Sequence, residues 1–319
     1  MNIISKDIDK AVALLKQEDV VAIPTETVYG LAGNIYSEKA VRKIFEVKQR
    51  PLFNPLIVHV HAIEELKDLV CEFPQKARLL AEAFWPGSLT LILKKKTSVP
   101  NLITGGKPSV AVRIPKHPVT LELLQRLDFP LAAPSANPFN RISPTSSSHV
   151  ESYFKGSLKM VLEGGECQNG IESTIIGFEA GEPVLYRLGS IAVEDIEQVV
   201  GPLSIKNKKE HAPDAPGMLV KHYSPQTKTI LVEDLHSFIS RSTYSKIGAI
   251  SFSETVKTLD KQKVQILSPS GDLKEAASNL YSALHQLDSL GLDLIVAQRL
   301  PEEGLGKSIN DRLERASSS

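Results

Sequence analysis

The sequence predicts an α/β protein built as two domains, on three observations. Strand-like and amphipathic helix-like segments alternate along the chain. Its 319 residues are enough for two ordinary cores. One stretch, Leu203 to Pro225, is rich in lysine and proline and lacks periodicity, a composition that suits an interdomain linker better than a loop inside a compact domain.

The elements follow in order. Asp7 to Lys16 reads as a helix with Ile8, Val12 and Leu15 on one face and Ser5 as its candidate cap. Val20 to Ile23 is a short buried strand stopped by Pro24. Glu38 to Lys48 is a second helix, with Ser37 as N-cap and Val41, Ile44 and Phe45 inward; Pro51 cannot continue it. Pro55–Val60 is a strand, Gln75–Phe84 a helix, and Leu89–Leu93 and Val110–Ile114 are strands. A helix over Val119–Leu127 leads to the strand Leu131–Ala133. Met160–Leu162, Ser173–Phe178 and Val184–Arg187 supply further strands, and Glu194–Val199 a closing helix. Beyond the linker a fresh βαβ rhythm starts: strands at Thr229–Val232, Ile247–Ile250 and Leu294–Ala297, a long amphipathic helix over Leu273–Leu290, and a polar helix from Ser308. Ser143 to Ser148 is a serine-rich run without an assigned element.

Composition narrows the function classes. Basic and acidic residues balance at 37 each, which argues against coating nucleic acid or an anionic membrane through bulk charge while leaving room for a local basic pocket. The two cysteines, Cys71 and Cys167, form no CxxC pair, so neither a disulfide scaffold nor a zinc ribbon is expected. The first residues lack a basic segment followed by an apolar one, and no apolar run approaches the ~20 residues of a membrane span. The expectation is a cytoplasmic protein without membrane association.

Four segments could carry chemistry, and three of them have a plain structural alternative. Lys48-Gln49-Arg50-Pro51 puts two cations, one residue apart, where a helix yields to a loop; they clamp phosphate oxygens or form a solvated helix end. Pro134-Ser135-Ala136-Asn137-Pro138 follows a strand, where open α/β sheets bind ligands, or is simply a turn. Pro24 to Leu31 offers two hydroxyls, a carboxylate and a phenol after another strand. Arg113 interrupts an apolar strand; it either snorkels to the surface or pairs with an anion in a cleft. His59 and His61 share a strand face without a third metal ligand nearby in sequence, so no protein-held metal is expected. Gly105-Gly106-Lys107 is not a phosphate-binding P-loop, because Asn101 stands at its first glycine position and Pro108 breaks it.

Taken in order, these segments resemble one family, the L-threonylcarbamoyl-adenylate synthases in their long two-domain form. The resemblance rests on Pro24 to Leu31, Lys48-Gln49-Arg50-Pro51, Asn54-Pro55-Leu56 with His59, Trp85-Pro86-Gly87, Val112-Arg113-Ile114-Pro115, Pro134-Ser135-Ala136-Asn137 and Glu172-Ser173-Thr174-Ile175. Ala215-Pro216-Gly217-Met218, Lys221-His222-Tyr223-Ser224-Pro225 and Gly304 to Arg312 extend it across nearly the whole chain.

The resemblance implies a YrdC-like catalytic domain over 1–202, a twisted mixed sheet with a concave active-site face. It implies a linker over 203–226 that covers the site, and a smaller Rossmann-like parallel α/β domain over 227–319. The implied reaction joins L-threonine, bicarbonate and ATP into threonylcarbamoyl-AMP and pyrophosphate. The product would pass to the tRNA threonylcarbamoyl transferase machinery; direct contact with tRNA stays open. Lys48 and Arg50 would be catalytic and face the triphosphate. Asn54, Ser109, Ser135, Asn137, Ser143, Arg187 and Tyr223 match the family's other nucleotide positions. Thr27, His59, Arg113, Ala133 and Ser173 match its threonine positions, with Arg113 as the cation for the carboxylate. Mg²⁺ is expected on the ATP phosphates rather than in a protein cage. His59 or a substrate carboxylate could act as base. The main rival is an RNA-binding module that holds a duplex on Lys48, Arg50, Lys94, Lys95 and Lys96. A second rival is the carbamoyl-transfer domain of hydrogenase maturation, which belongs to much larger chains.

Overall fold

The computed structural model describes residues 3–206 and 223–317. Ala215 to Met218, Lys221 and His222 lie outside the described residues. The first part of the chain forms an 11-stranded mixed sheet. In chain order its strands are β1 (Ile4–Ser5), β2 (Val21–Ile23), β3 (Gly30–Asn34), β4 (Ile57–His59), β5 (Leu89–Lys94), β6 (Ser109–Arg113), β7 (Leu131–Ala132), β8 (Val161–Leu162), β9 (Thr174–Glu179), β10 (Glu182–Arg187) and β11 (Ser204–Ile205). Their spatial order is β1-β8-β2-β3-β7-β4-β6-β5-β9-β10-β11. The second part is a four-stranded parallel sheet, β12 (Thr229–Val232), β13 (Ile247–Ser251), β14 (Val264–Ile266) and β15 (Leu294–Gln298), in the order β12-β15-β13-β14. The expected mixed sheet and separate small parallel sheet are both present.

Register gathers the functional ends of the large sheet. β4 and β6 run parallel with His59 opposite Arg113. β5 is antiparallel to β6 and parallel to β9, so the start of β9 lies at the same end as Arg113. β10 returns antiparallel and delivers Arg187 beside Ile175. Helices clamp these strands through apolar faces; in the helix Glu38–Lys48, Val41, Ile44 and Phe45 join the main core, and Ser37 caps the start by accepting from the Ala40 N–H.

Several elements differ from the sequence reading. The cap of the first helix is Asp7, which accepts from the Lys10 N–H; Ser5 instead accepts from the Asp7 N–H. Gly30 and Leu31, given no element by the sequence reading, open β3, whose composition Gly-Leu-Ala-Gly-Asn has little strand propensity. The serine run leads into a helix, Ser147–Phe154, capped by Ser146. Ser204 and Ile205, read as the start of the linker, pair with β10 as an edge strand. Among the described residues no helix is long and apolar enough to cross a membrane.

The C-terminal part docks tightly on the first. Gly170 takes a left-handed φ of +68°, and a Cβ there would lie 2.3 Å from the Ser278 carbonyl oxygen, so the close approach requires glycine. Arg141 pairs with Asp288 at 3.2 Å. His149 and His285 stack across the junction with centroids 4.0 Å apart. Burial holds His149 down at about 4. Burial, then its histidine neighbour, holds His285 at about 3. Both are therefore neutral when folded, whereas unfolded histidines titrate near 6.5. Their contribution is complete above about pH 6.5 and is lost as the pH falls toward 4. We predict a melting temperature that drops across that window, with a shallower slope for His285→Asn, measured by thermal denaturation from pH 7 to 4.5.

Candidate active site

The converging strand ends enclose a small cavity of about 50 Å³. Its wall carries all five residues matched to threonine positions, Thr27, His59, Arg113, Ala133 and Ser173, and four matched to nucleotide positions, Arg50, Ser135, Arg187 and Tyr223. Lys48, Asn54, Asn137 and Ser143 stand one contact behind that wall. Ser109 is not on this wall: it begins β6 opposite Lys94, while Arg113 ends the strand, roughly 13 Å away at the usual rise per residue.

The helix Glu38–Lys48 ends at Gln49, whose left-handed φ of 53° reverses the chain and turns both flanking cations inward. Lys48 is 1% exposed and Arg50 7%, which rules out a solvated helix end. Lys48 does not open onto the cavity. Its ammonium donates to the carbonyls of Ser135 and Asn137, both at 2.5 Å, and so holds the loop that presents Ser135. Burial, then the Arg50 charge, keeps its pKa well below the usual lysine value. Arg50 donates to the Asn54 side-chain and main-chain oxygens and to the Pro55 carbonyl. Burial and the nearby Arg187 bring it to about 9, still charged at neutral pH. Among the described residues neither Lys48 nor Arg50 has a carboxylate partner. A buried guanidinium without an acid partner among the described residues makes a field suited to an anion. Asn54 Nδ2 and Asn137 Oδ1 are also buried without hydrogen-bond partners among the described residues, a pattern that native sites complete with ligand or water.

The other half of the cavity is organised differently. Arg113 does not snorkel. It pairs at 2.6 Å with Glu26, donates to Thr27 Oγ1 at 3.0 Å and to the Gly87 carbonyl at 3.1 Å. Its anion is thus the protein's own, and Glu26 is a site residue that the sequence reading left without a role. The signal was present, a lone carboxylate in a hydroxyl-rich segment after a strand, but only the fold joins it to β6. His59 hydrogen-bonds through Nδ1 to the Ile57 carbonyl, which makes Nδ1 the protonated nitrogen and leaves Nε2 as an acceptor. Burial, then the Arg113 charge, holds His59 at about 3, so it is neutral and too weak a base to take a proton near neutrality. Arg187 grips Ser173 through its carbonyl and hydroxyl, at 2.9 to 3.0 Å.

Among the described residues no group of three or more metal-ligating side chains occurs. His61 is engaged with Glu65 at 2.7 Å. The duplex-binding alternative is not favoured. Lys48 and Arg50 are buried, Lys94 pairs with Glu72, Lys95 donates to Val99 and Asn101, and Lys96 donates to the Lys67 carbonyl.

Residues 13–189 match the family model described as Telomere recombination, and residues 191–318 match that of the threonylcarbamoyl-AMP synthase C-terminal domain. The chain is 40% identical to the threonylcarbamoyl-AMP synthase of Pyrococcus abyssi, over 96% of this chain and 93% of that protein. The chain belongs to the threonylcarbamoyl-AMP synthase family. The Bacillus subtilis threonylcarbamoyl-AMP synthase is 37% identical over 97% of this chain and 92% of its own length. The crystal structure of P. abyssi Sua5 complexed with L-threonine superposes with a TM-score of 0.90 at 38% identity, covering 99% of this chain and 97% of that one. Full-length HypF aligns at TM-score 0.51 and 23% identity over 57% of this chain and 29% of its own, a likeness of fold alone. A two-domain member of this enzyme family thus carries its family motifs around one cavity.

The buried Lys48 contacts give a direct prediction. Lys48→Met keeps the stem and removes both charged hydrogen bonds, so it should cost about 3 kcal/mol of stability. Urea unfolding measures it; an unchanged midpoint would show that the Ser135 loop does not depend on the ammonium.

Proposed function

We propose that this chain is a nucleotidyltransferase that makes threonylcarbamoyl-AMP from L-threonine, bicarbonate and ATP. The observation that carries the reading is the division of one cavity into two unlike halves. Arg50, Ser135 and Arg187 face it with two guanidinium groups and a hydroxyl, and Thr27, His59, Arg113 and Ser173 face it with a paired cation and neutral hydrogen-bonding groups. The first half suits a polyphosphate and the second an amino acid. The similarity to Sua5, whose structure holds L-threonine, supports the second assignment.

In this reading the threonine amine is carboxylated by bicarbonate with loss of water. A carbamate oxygen then attacks the α-phosphorus as the bond to pyrophosphate breaks. The protein forms no covalent bond; it orients the reactants and stabilises charge. Arg50 and Arg187 meet the phosphates, with Ser135 donating beside them. Lys48 acts from behind by fixing the Ser135–Asn137 loop. Asn54 and Asn137 hold unpaired groups for the nucleotide, Ser143 acts through Glu172, and Ser109, at the far end of β6 from Arg113, would meet a part of the nucleotide remote from the threonine. Arg113 receives the threonine carboxylate, held in place by Glu26. His59 Nε2 accepts from the substrate, and the Ala133 main chain and Ser173 complete its contacts. With His59 so weak a base, a substrate carboxylate is the better proton acceptor.

The divalent ion that this reaction class implies does not fit a protein-held site here, because Glu26 is committed to Arg113, and Glu172 to Ser143, Tyr281 and Arg312. Mg²⁺ arriving with ATP would ride on phosphates and water. We further propose the division into a catalytic domain to residue 202, a linker to 226 and a C-terminal domain beyond. A cytoplasmic place, where ATP, bicarbonate and the tRNA-modifying consumer of the product coexist, suits this activity.

Tyr223 is the proposed cover. It is buried on the cavity wall with a left-handed φ of 60°, an uncommon state for an aromatic residue. In this reading the cover moves aside for ATP to enter. Reclosed, it would shield a hydrolysable mixed anhydride from water.

The decisive measurement is pyrophosphate release from ATP with threonine or bicarbonate omitted in turn. Release should require both; release that needs neither would overturn the reading. Arg50→Ala should lower turnover by roughly 100-fold or more while the chain stays folded. Tyr223→Ala should raise the ratio of free AMP to threonylcarbamoyl-AMP, followed by chromatography of the products; an unaltered ratio would remove its role as a cover.

A further inference from the structure

Glu172 is the one carboxylate on the cavity wall among the described residues, and it sits where the two domains meet. Its oxygens accept from Ser143 Oγ at 2.6 Å, from the Tyr281 hydroxyl at 2.8 Å and from Arg312 Nε at 3.1 Å. Tyr281 and Arg312 both come from the C-terminal domain, on the helices Leu273–Asp288 and Leu305–Ser317. Arg312 has no exposed surface. Its remaining nitrogens donate to Asp311 at 2.8 Å and to the Leu188 carbonyl at 2.6 Å, and Asp311 is braced by Arg315. One guanidinium therefore ties Glu172, two residues before β9, to Leu188, the residue after β10. Ser173 lies between Glu172 and β9, and Arg187 ends β10. The same guanidinium lies 5.1 Å from the Tyr223 ring centroid.

An interface that had only to hold two domains together would gain nothing from this arrangement. Well-packed apolar side chains serve that purpose as well as, or better than, a buried ion network. Placing a carboxylate among Arg50, Arg113 and Arg187 makes sense if its position matters to the cavity. Left without Tyr281 and Arg312, Glu172 would turn to Arg187, whose charge already acts on it. Pairing there would draw Arg187 off Ser173 and release Ser143.

We propose that Tyr281 and Arg312 are positioning residues for the reaction, holding Glu172 so that Ser143, Ser173 and Arg187 keep the geometry the substrates need. The C-terminal domain is then a working part of the active site. This inference rests on the function proposed above.

The test uses the full chain and counts activity per folded molecule. Tyr281→Phe keeps the ring and removes one hydroxyl. It should lower kcat for threonine-dependent pyrophosphate release by about tenfold or more, the scale of one hydrogen bond to a charged group. In a Glu172→Gln background the same change should cause no further loss. Lys307→Gln breaks a different contact across the same interface, the 2.5 Å pair with Glu194, and should leave kcat unchanged. A Tyr281→Phe variant with wild-type kcat would overturn the proposal. So would a loss that adds in full to that of Glu172→Gln, or an equal loss in Lys307→Gln. A wild-type chain whose pyrophosphate release ignores threonine would overturn the functional reading itself, and this inference with it.

Discussion

Charge buried at the ends of strands has to be answered nearby, and that constraint organises this protein. Glu26 and Glu172 are each 5% exposed, and an unpaired carboxylate at such a depth would be strongly destabilising. Each is answered by an arginine from a distant part of the chain, Arg113 on β6 and Arg312 on the last helix. Burial by itself would raise the pKa of Glu172; Arg312 and Arg187, with the Ser143 hydroxyl, outweigh it and keep the carboxyl below its usual range. Each pair places one of its members, Arg113 or Glu172, on the wall of one cavity.

The uncompensated cations gain their meaning from this background. Glu26 leaves Arg113 oriented and locally balanced, while among the described residues Lys48 and Arg50 meet only neutral oxygens. A polyanion would find its positive field on one side of the site, and an amino acid would find directional hydrogen bonds on the other. Lys48 illustrates a division of labour between neighbours in sequence. One cation stiffens the loop and the other faces the ligand space, because a left-handed Gln49 separates their directions.

The junction between the domains shares this logic. The Arg141–Asp288 pair, the stacked histidines and the Gly170 approach bring the helix Leu273–Asp288 against the catalytic sheet closely enough for Tyr281 to reach Glu172. The interface is polar where it touches the cavity and apolar around it, with Val28, Ile142 and Ile171 of the first part packed in one cluster with Leu280 and Leu284 of the second. Such a junction transmits position rather than merely adding stability.

Local chemistry was enough to determine much of this in advance. Apolar periodicity and capping residues placed the helix Glu38–Lys48 and most strands, since those signals act over a few residues. Ordered motifs marked Arg50, Arg113, Ser135, Ser173 and Tyr223, which the fold gathers around one cavity. β3 escaped notice because glycine-rich segments become strands only through their neighbours, here β2 and β7. The partners of the buried charges were beyond local reading as well. Glu26 and Arg113 are 87 positions apart in the chain, and Glu172 and Arg312 are 140 apart. No spacing rule links residues so far apart; only sheet register and domain docking decide that they meet.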